Sequence, residues 1–402
     1  MRLENIYGGI MIEGEYESVK HMLEENLEAD LEYANLRAAN LQEANLQEAN
    51  LEGANLQRAD LECANLQEAN LRGADLRGAD LEYANLQEAD LEGTDLEYAN
   101  LEGANLQGAN LRGADLRKAN IGGADLREAD LVGANLQEAN FKRANLECAN
   151  LEGANLKGVN LKEADLGWAN FVEANLREAN LERADLVEAN LRKANLRGAN
   201  LECANLEGAN LECVNFREAN LKGVNLKEAN LLEANLKWAN LKGANLEGAD
   251  LKEANLGWAK LQGANLQGAN LRGADLECAN LEGANLKGVN LREANLREVD
   301  LRGVDIRIAD LQVANLKEAN LKGAKYGGKV IKNTVISLTN LEYDILIFSG
   351  YIKIGCKLHS KEEWLEFTNR EILDMDGRSG LKFWKVWKET LILICEIELM
   401  SK

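Results

Sequence analysis

The chain has 402 residues, of which 67 are acidic and 46 are basic, and its formal net charge is −21. This charge favours solubility and argues against nucleic acid as a direct partner, because phosphates would be repelled. The longest apolar run, 390–395, is far shorter than the roughly 20 residues that a membrane-spanning helix needs. The first residues show no secretory pattern, and the seven cysteines are expected to be reduced thiols of a cytoplasmic protein.

Residues 1–28 precede the repetitive part of the chain and are predicted to form an N-terminal cap. The stretch from Tyr16 to Glu25 favours a short amphipathic helix, because Val19, Met22 and Leu23 fall on one side of it. A helix here would cover the first open end of a repeat array.

From Ala29 to Gly323 the sequence is an unbroken series of 59 pentads with the pattern Ala-(Asn/Asp)-Leu-x-x. The leucine, which we call the centre of the pentad, falls at every position ending in 1 or 6. The centres that are not leucine are all apolar: Ile121, Phe141, Phe171, Phe216 and Ile306. The small residue two positions earlier is alanine, apart from Thr94 and six valines. This regularity indicates a packed interior.

The five-residue period excludes both a regular helix and a flat strand. Five residues advance an α-helix by about 500°, so successive leucines would surround it. In a straight strand an odd repeat sends successive leucines to opposite faces. Within one pentad, however, Ala and Leu point inward together and Asn/Asp points outward, so the last two residues must turn the chain. A turn in every pentad winds the chain into a coil.

The pattern is similar to the A(D/N)LXX consensus of the pentapeptide-repeat family, over about three quarters of the chain. The resemblance implies an all-β solenoid, a right-handed quadrilateral parallel β-helix with four pentads per coil. The 59 pentads would give about 15 coils, or a rod ~70 Å long at a strand spacing of ~4.8 Å. The predicted domains are the cap 1–28, the solenoid 29–323 and a C-terminal domain 324–402.

The C-terminal domain is predicted to be a small α+β cap. The segment 330–356 is rich in Val, Ile, Thr, Tyr and Phe, which indicates two or three strands. Ser360, with Glu363 three residues later, has the pattern of a capped helix running to about position 374, and Ser379 would begin the last helix. The segments 354–359, 362–364 and 381–388 are similar to a C-terminal segment of phage or prophage-type hypothetical proteins that have no assigned activity.

Two further expectations concern contacts of this domain. The outward apolar residues Ile308 and Val313, at the end of the repeats, are predicted to lie beneath it. An apolar face on its last helix suggests a homodimer contact, formed by Trp384, Trp387, Leu391 and Ile394. If the protein is a dimer, truncation near Gly328 is then expected to return a monomer.

No motif for catalysis, a cofactor or a metal is found. The only two histidines, His21 and His359, lie one in each cap. Cys356 and His359 form a single C-x-x-H pair, for which packing at a strand end is favoured over zinc because no second pair exists. We therefore predict no catalytic residue, no cofactor and no enzymatic activity.

The outward residues divide into four faces, each defined by every twentieth centre. The faces beginning at Leu31, Leu36, Leu41 and Leu46 carry net charges of −7, +1, −2 and −9 respectively. The two most acidic faces are adjacent, so one edge of the solenoid is predicted to be strongly negative. This edge could be a docking surface, or it could be a consequence of repeat duplication that only keeps the protein soluble.

Candidate interaction residues lie on these faces. Glu48, Glu68 and Glu88 are predicted to form a ladder of like charges, which is unfavourable unless it is solvated or met by a cation. The neighbouring glutamines, Gln47, Gln67, Gln87 and Gln107, are expected to satisfy one another by amide stacking. Trp238 and Trp258 fall on the second face and Trp168 on the fourth, where they serve either stacking or partner contact.

Glycine fills the second turn residue of many pentads, for example every twentieth residue from Gly223 to Gly323. Because Glu, Trp, Tyr and Arg occupy the same position elsewhere, a positive φ is not expected to be required there.

Two functions remain open at this point. The first is a non-enzymatic acidic scaffold that binds a protein partner, which would be basic or itself a DNA-binding protein. The alternative is suggested by the members of the family that protect or inhibit DNA gyrase. It is a DNA mimic acting on gyrase or on another DNA-binding protein.

Overall fold

The computed structural model describes residues 1–26, 29–304, 306, 314, 316, 319–326, 329–331, 336–338, 341, 343, 345–348, 350–355 and 357–400. Ile308, Val313 and Cys356 therefore lie outside the described residues. The chain divides into two compact units, Met1–Asn230 and Leu231–Lys402, which are described separately.

The first unit begins with an antiparallel hairpin that the sequence did not predict. Strand β1 (Arg2–Glu4) pairs with β2 (Ile10–Glu13), and helix α1 (Val19–Glu24) follows. The helix lies inside the segment predicted to be helical, and the Ser18 hydroxyl accepts a hydrogen bond from the His21 N–H. The hairpin then joins the first pentads, because Asn35 N donates to Glu4 O at 2.9 Å.

The pentads of this unit wind into a coil with four pentads per turn. Residues 20 apart form parallel bridges, such as Asn85 with Asn105. The coils are joined by backbone bonds; for example, Leu81 N donates to Asn100 O at 2.7 Å and Asn85 N donates to Ala64 O at 2.9 Å. Nearly all centres and the small residues before them are buried. Thr94 is buried as well, and its hydroxyl donates to Leu71 O at 2.9 Å.

Each pentad ends in a tight turn from its centre to the next alanine. Ala84 N, for example, donates to Leu81 O at 3.0 Å, and Tyr83 between them has φ 55°. All 55 second turn residues from Tyr33 to Gly303 have positive φ, and 33 of them are not glycine. The expectation that a positive φ is not required here was wrong. The turn needs a positive φ at its third residue, as a type II turn does, and the coil imposes it on Glu, Trp, Tyr and Arg alike.

Two glycines at equivalent turn positions allow the free-energy cost of the positive φ to be measured. Gly113 (φ 63°) has no atom near an added Cβ, whereas a Cβ on Gly103 (φ 65°) would lie 2.4 Å from the Tyr83 ring. We expect Gly113→Ala to lower the free energy of unfolding by about 1–2 kcal/mol. We expect Gly103→Ala to cost about 1 kcal/mol more, because the ring must move.

Urea denaturation of both variants measures the difference. In the Tyr83→Gly background, the additional cost of Gly103→Ala should disappear. Equal losses for the two alanine variants of the native chain would contradict the steric contribution of Tyr83.

The second unit contains further coils of pentads and ends in a four-stranded sheet and two helices. After β3 (Lys325–Tyr326) and β4 (Lys329–Val330), the sheet has the antiparallel order β5 (Ile336–Leu338), β6 (Ile345–Phe348), β7 (Tyr351–Ile354), β8 (Lys357–Ser360). The sequence indicated two or three strands between 330 and 356. It did not indicate β8, which lies beyond that segment.

The helices of this unit break at two places. Helix α2 (Lys361–Glu366) has Ser360 as its N-cap in a capping box with Glu363, as the sequence indicated. The chain then leaves the helical path before α3 (Asn369–Met400), which is kinked at Asp376 and Gly377. The predicted single helix to about position 374 is therefore interrupted, and the second part of α3 begins close to the predicted start at Ser379.

One face of the sheet packs on the helices and forms the core of the C-terminal domain. Its buried side chains are Ile345, Ile347, Ile352, Ile354, Trp364, Ile372, Phe383, Trp384, Leu391 and Cys395. On the opposite face, Leu346, Phe348 and Lys353 are buried too, and Lys353 Nζ donates to Ala314 O. The sheet thus contacts a residue at the end of the repeats, and its role as a cap stays a prediction.

Candidate interaction surface

The outer surface of the coil is ordered by its Asn and Asp side chains. Most of these Oδ1 atoms accept a hydrogen bond from the backbone N–H two residues later, as Asn65 does from Gln67 at 3.3 Å. Many Asn side chains also donate through Nδ2 to the residue 20 positions earlier; Asn85, for example, donates to Asn65 at 3.1 Å. Asparagine is therefore both donor and acceptor in a ladder that joins successive coils.

Lys260 interrupts this ladder in the second unit. It occupies an Asn position and bridges to Asn240, but it has no oxygen to accept from Gln262 N or from Asn280 Nδ2. Lys260→Asn adds two possible hydrogen bonds and is expected to raise the free energy of unfolding by about 1 kcal/mol. Lys242→Asn, on an exposed turn residue of the same face, is the control and should change it little. A Lys260→Asn variant no more stable than the control would contradict the ladder's contribution.

Aspartates stack in three successive coils at Asp75, Asp95 and Asp115. Arg77 compensates for the repulsion, since its Nη2 lies 2.6 Å from Asp75 and its Nε 3.4 Å from Asp95. Arg117 lies 2.7 Å from Asp115. The hydrogen bond from Arg77 lowers the pKa of Asp75 below its ordinary value. This pairing was not predicted from sequence, although the occurrence of Arg two residues after Asp in these pentads is a signal for it.

Glu48, Glu68 and Glu88, which we call the acidic ladder, are exposed at the second turn residue of successive coils. Three of the neighbouring glutamine amides donate to these carboxylates and not, as expected, to one another. Gln67 Nε2 donates to Glu68 at 3.0 Å, and Gln47 and Gln87 donate to Glu48 and Glu88, each at 3.4 Å. The amide is drawn to the adjacent carboxylate because a charged acceptor makes the stronger bond.

The acidic ladder has no neutralising cation among the residues that the structure describes. Elsewhere in the first unit, carboxylates do pair between coils: Arg143 with Glu163 at 2.9 Å and Lys222 with Glu202 at 2.8 Å. Hydrogen bonds from these partners lower the pKa of Glu163 and of Glu202. The acidic ladder therefore concentrates uncompensated negative charge on one face.

The three outward tryptophans also occupy second turn residues. Trp168 belongs to the first unit and is 58% exposed, while Trp238 and Trp258 lie in adjacent coils of the second unit and are 41% and 54% exposed. Lys237 Nζ lies 4.8 Å from the centroid of the Trp238 ring. Each unit therefore presents indole rings to solvent, and their use in partner contact stays a prediction.

The residues predicted for a C-terminal contact face the interior of their own domain. Trp384 and Leu391 are buried in its core, and Trp387 and Ile394 pack partly buried against it. The exposed apolar side chains of α3 include Val386 and Leu393. Burial within one chain accounts for the predicted set, and a dimer through this domain stays a prediction.

Side chains with metal-ligand or acid–base chemistry are scattered. Burial is the main cause that lowers the pKa of His359, and its ring packs edge-on against Trp364 and Phe367. Glu277, Cys278 and Glu298 lie together near the surface, and burial raises the pKa of the Cys278 thiol. None of the six cysteines that the structure describes forms a disulfide.

Comparison with known protein families shows to which family the repeats belong. A family model for pentapeptide repeats matches the chain along residues 28–325, which is well over half of it. The chain belongs to the pentapeptide repeat family. Membership implies a right-handed β-helix, in agreement with the coil described above. No helix in the described parts of this pentapeptide repeat protein is long and apolar enough to cross a membrane.

Two solved structures are similar to parts of this pentapeptide repeat protein. HetL, involved in heterocyst differentiation regulation in the cyanobacterium Nostoc sp. strain PCC 7120, is 34% identical over 58% of this chain and 92% of its own, with a TM-score of 0.27. QnrB1, a plasmid-mediated fluoroquinolone resistance protein, is 21% identical over 48% of this chain and 87% of its own, with a TM-score of 0.32.

The resemblance of the C-terminal segment to phage proteins stays a prediction. ORF18 of Geobacillus virus E2 is only 10% identical, over 79% of this chain and 62% of its own, with a TM-score of 0.17. Scores this low, like those of HetL and QnrB1, carry no functional argument. No curated protein matches the chain.

Proposed function

We propose that this pentapeptide repeat protein is a non-enzymatic scaffold that binds a basic protein partner through the acidic ladder. The observation that carries the proposal is the contrast within the first unit. Several carboxylates elsewhere are paired between coils, whereas Glu48, Glu68 and Glu88 lie in three successive coils, are exposed and accept hydrogen bonds from neighbouring glutamines. Uncompensated charge of one sign draws a partner of the opposite sign and steers its approach.

The spacing of the ladder suggests the form of the partner. Successive coils lie ~4.8 Å apart, while side chains three or four residues apart on a helix are separated by about 5–6 Å. A helix with Lys or Arg at i, i+4 and i+8 could therefore meet all three carboxylates. The neighbouring glutamine amides hold these carboxylates in place, which reduces the side-chain entropy lost on binding.

A triple substitution tests the proposal. Glu48→Gln, Glu68→Gln and Glu88→Gln together should weaken binding of a helical peptide with arginines at i, i+4 and i+8 by about tenfold, since three exposed pairs are lost. Fluorescence anisotropy at low and high salt measures the affinity, which should fall as salt rises.

The control removes the same charge elsewhere in the first unit. Glu102→Gln, Glu152→Gln and Glu212→Gln together should weaken binding by no more than about twofold, because these residues lie on other faces and interact at longer range. Equal losses in the two triple variants would show a general charge effect and contradict the ladder as the binding site. A peptide with its arginines scrambled around the helix should bind more weakly than the ordered one.

A second candidate is a DNA mimic that acts on gyrase or on another DNA-binding protein. The net charge of −21 and the unneutralised ladder favour it. The balanced second face, with 12 basic and 11 acidic residues, argues against a duplex-like charge on all sides. Supercoiling by purified gyrase distinguishes the two candidates: no effect of the protein at micromolar concentration would remove gyrase mimicry.

A further inference from the structure

The C-terminal domain contains a pocket between its sheet and its kinked helix. Its cavity volume is about 90 Å³, below that of a drug-sized site, so only a small ring can enter it. Four aromatic rings line it: Tyr343, Trp364, Phe383 and Trp384. The remaining walls are mainly apolar and include Ile354, Ile372 and Met375.

The ring arrangement is fixed by the protein's own contacts. Tyr343 and Phe383 meet edge to face with centroids 4.8 Å apart, and Trp364 and Trp384 are 4.9 Å apart. Trp364 Nε1 donates to Ile352 O at 2.6 Å, so one indole is held to the sheet. These contacts preorganise flat apolar walls, which suit an aromatic ligand.

The kink in α3 lies at the pocket, because Asp376 is one of its lining residues. Asp376 has φ −154° and Gly377 has φ 65°, so the helical path is interrupted there. Gly380 stands beside the kink, where an added Cβ would lie 2.7 Å from Asp376 Cβ. The close approach of these two turns therefore requires glycine at position 380.

Two opposite charges line the pocket without neutralising each other. Lys357 extends from β8, and Asp376 stands at the kink. Within the described part of the chain, neither side chain has an oppositely charged group at ion-pair distance. A lysine beside apolar walls and without a carboxylate partner is suited to bind a carboxylate of a ligand. Asp376 would repel a second negative group.

We infer that this pocket binds a small aromatic monocarboxylate, with the ring between the aromatic walls and the carboxylate on Lys357 Nζ. The site is independent of the acidic ladder, because it uses none of its residues. Discrimination rests on charge: the anion should bind more tightly than a neutral ring of the same size, and a cation more weakly.

Isothermal titration of the full chain with four related probes tests the inference. Indole-3-acetate is the anion, indole the neutral ring, tryptamine the cation and tryptophan the zwitterion. We expect indole-3-acetate to bind about tenfold more tightly than indole, which corresponds to one charged hydrogen bond, and tryptamine to bind most weakly. Tight binding of tryptophan would require Asp376 to hold its ammonium group, which the Asp376→Asn variant would abolish.

Substitutions test the charge of Lys357 and the apolar walls of the pocket separately. Lys357→Gln should remove the difference between indole-3-acetate and indole, whereas Lys385→Gln, on an exposed lysine outside the pocket, should leave it intact. Met375→Trp should fill the pocket and abolish binding of both probes, with circular dichroism as the check on folding. No binding of any probe at millimolar concentration, a preference for tryptamine, or an unchanged preference in Lys357→Gln would overturn the inference.

Discussion

Phe171→Ala is expected to lower the free energy of unfolding by about 3–5 kcal/mol. Phe171 is a completely buried centre in the first unit, and Leu151 and Leu191 hold the same position in the adjacent coils. A coil cannot collapse around the missing ring, because its backbone is fixed by bonds to both neighbours, such as Phe171 N to Asn190 O at 2.7 Å. The cavity therefore persists.

The control is the consensus residue at the same place. Phe171→Leu keeps an apolar side chain that fits every other coil of this column, and it should cost less than about 1.5 kcal/mol. Guanidinium denaturation measures both variants, and hydrogen exchange locates the loss. Protection should fall most in residues 151–195, because a repeat contacts only its neighbours. A loss below 2 kcal/mol for Phe171→Ala would contradict a rigid core.

The coil could be predicted from sequence because one short pattern fixes it. Ala and Leu at a spacing of two, followed by two turn residues, allow few conformations, and the pattern recurs without an insertion. The interior could therefore be derived position by position. The sequence shows that Lys260 replaces the usual Asn or Asp. It does not show which hydrogen bonds are lost, because asparagine acts as both donor and acceptor only between stacked coils.

The turn conformation was missed for a physical reason. Non-glycine residues avoid positive φ as isolated residues, so their presence at the second turn residue suggested an ordinary backbone. The coil overrides this local preference, because each turn is held by backbone bonds to the next coil, such as Tyr83 N to Glu102 O at 2.9 Å. Tertiary bonding outweighs a penalty of about 1–2 kcal/mol per residue.

The candidate sites were only partly accessible from sequence. The acidic ladder follows from a period of 20, but the diversion of Gln67 to Glu68 depends on side-chain geometry. In the C-terminal domain, which has no repeat, the capping box at Ser360 is a local signal and could be identified. The kink at Asp376 and Gly377 and the resulting pocket depend on how α3 meets the sheet, and neither has a local pattern.

The second large effect concerns Trp384, which the sequence placed in a dimer contact and the structure places in the domain core. Its ring is 4% exposed and lies 4.9 Å from Trp364. We expect Trp384→Ala to destabilise the C-terminal domain by about 3–5 kcal/mol. Near-ultraviolet circular dichroism should show this loss, while amide protection in residues 29–230 should be unchanged.

Val386→Ser tests a dimer contact without disturbing the core, because Val386 is 67% exposed on α3. It should change the free energy of unfolding by less than about 0.5 kcal/mol. Light scattering on both variants then measures the molar mass in solution and hence the oligomeric state. If Trp384→Ala halves the mass while the domain keeps its native near-ultraviolet spectrum, Trp384 contacts a second copy and the core assignment fails. If Val386→Ser halves the mass with the fold intact, the exposed face of α3 forms the dimer contact. The buried residues then act only by stabilising that helix.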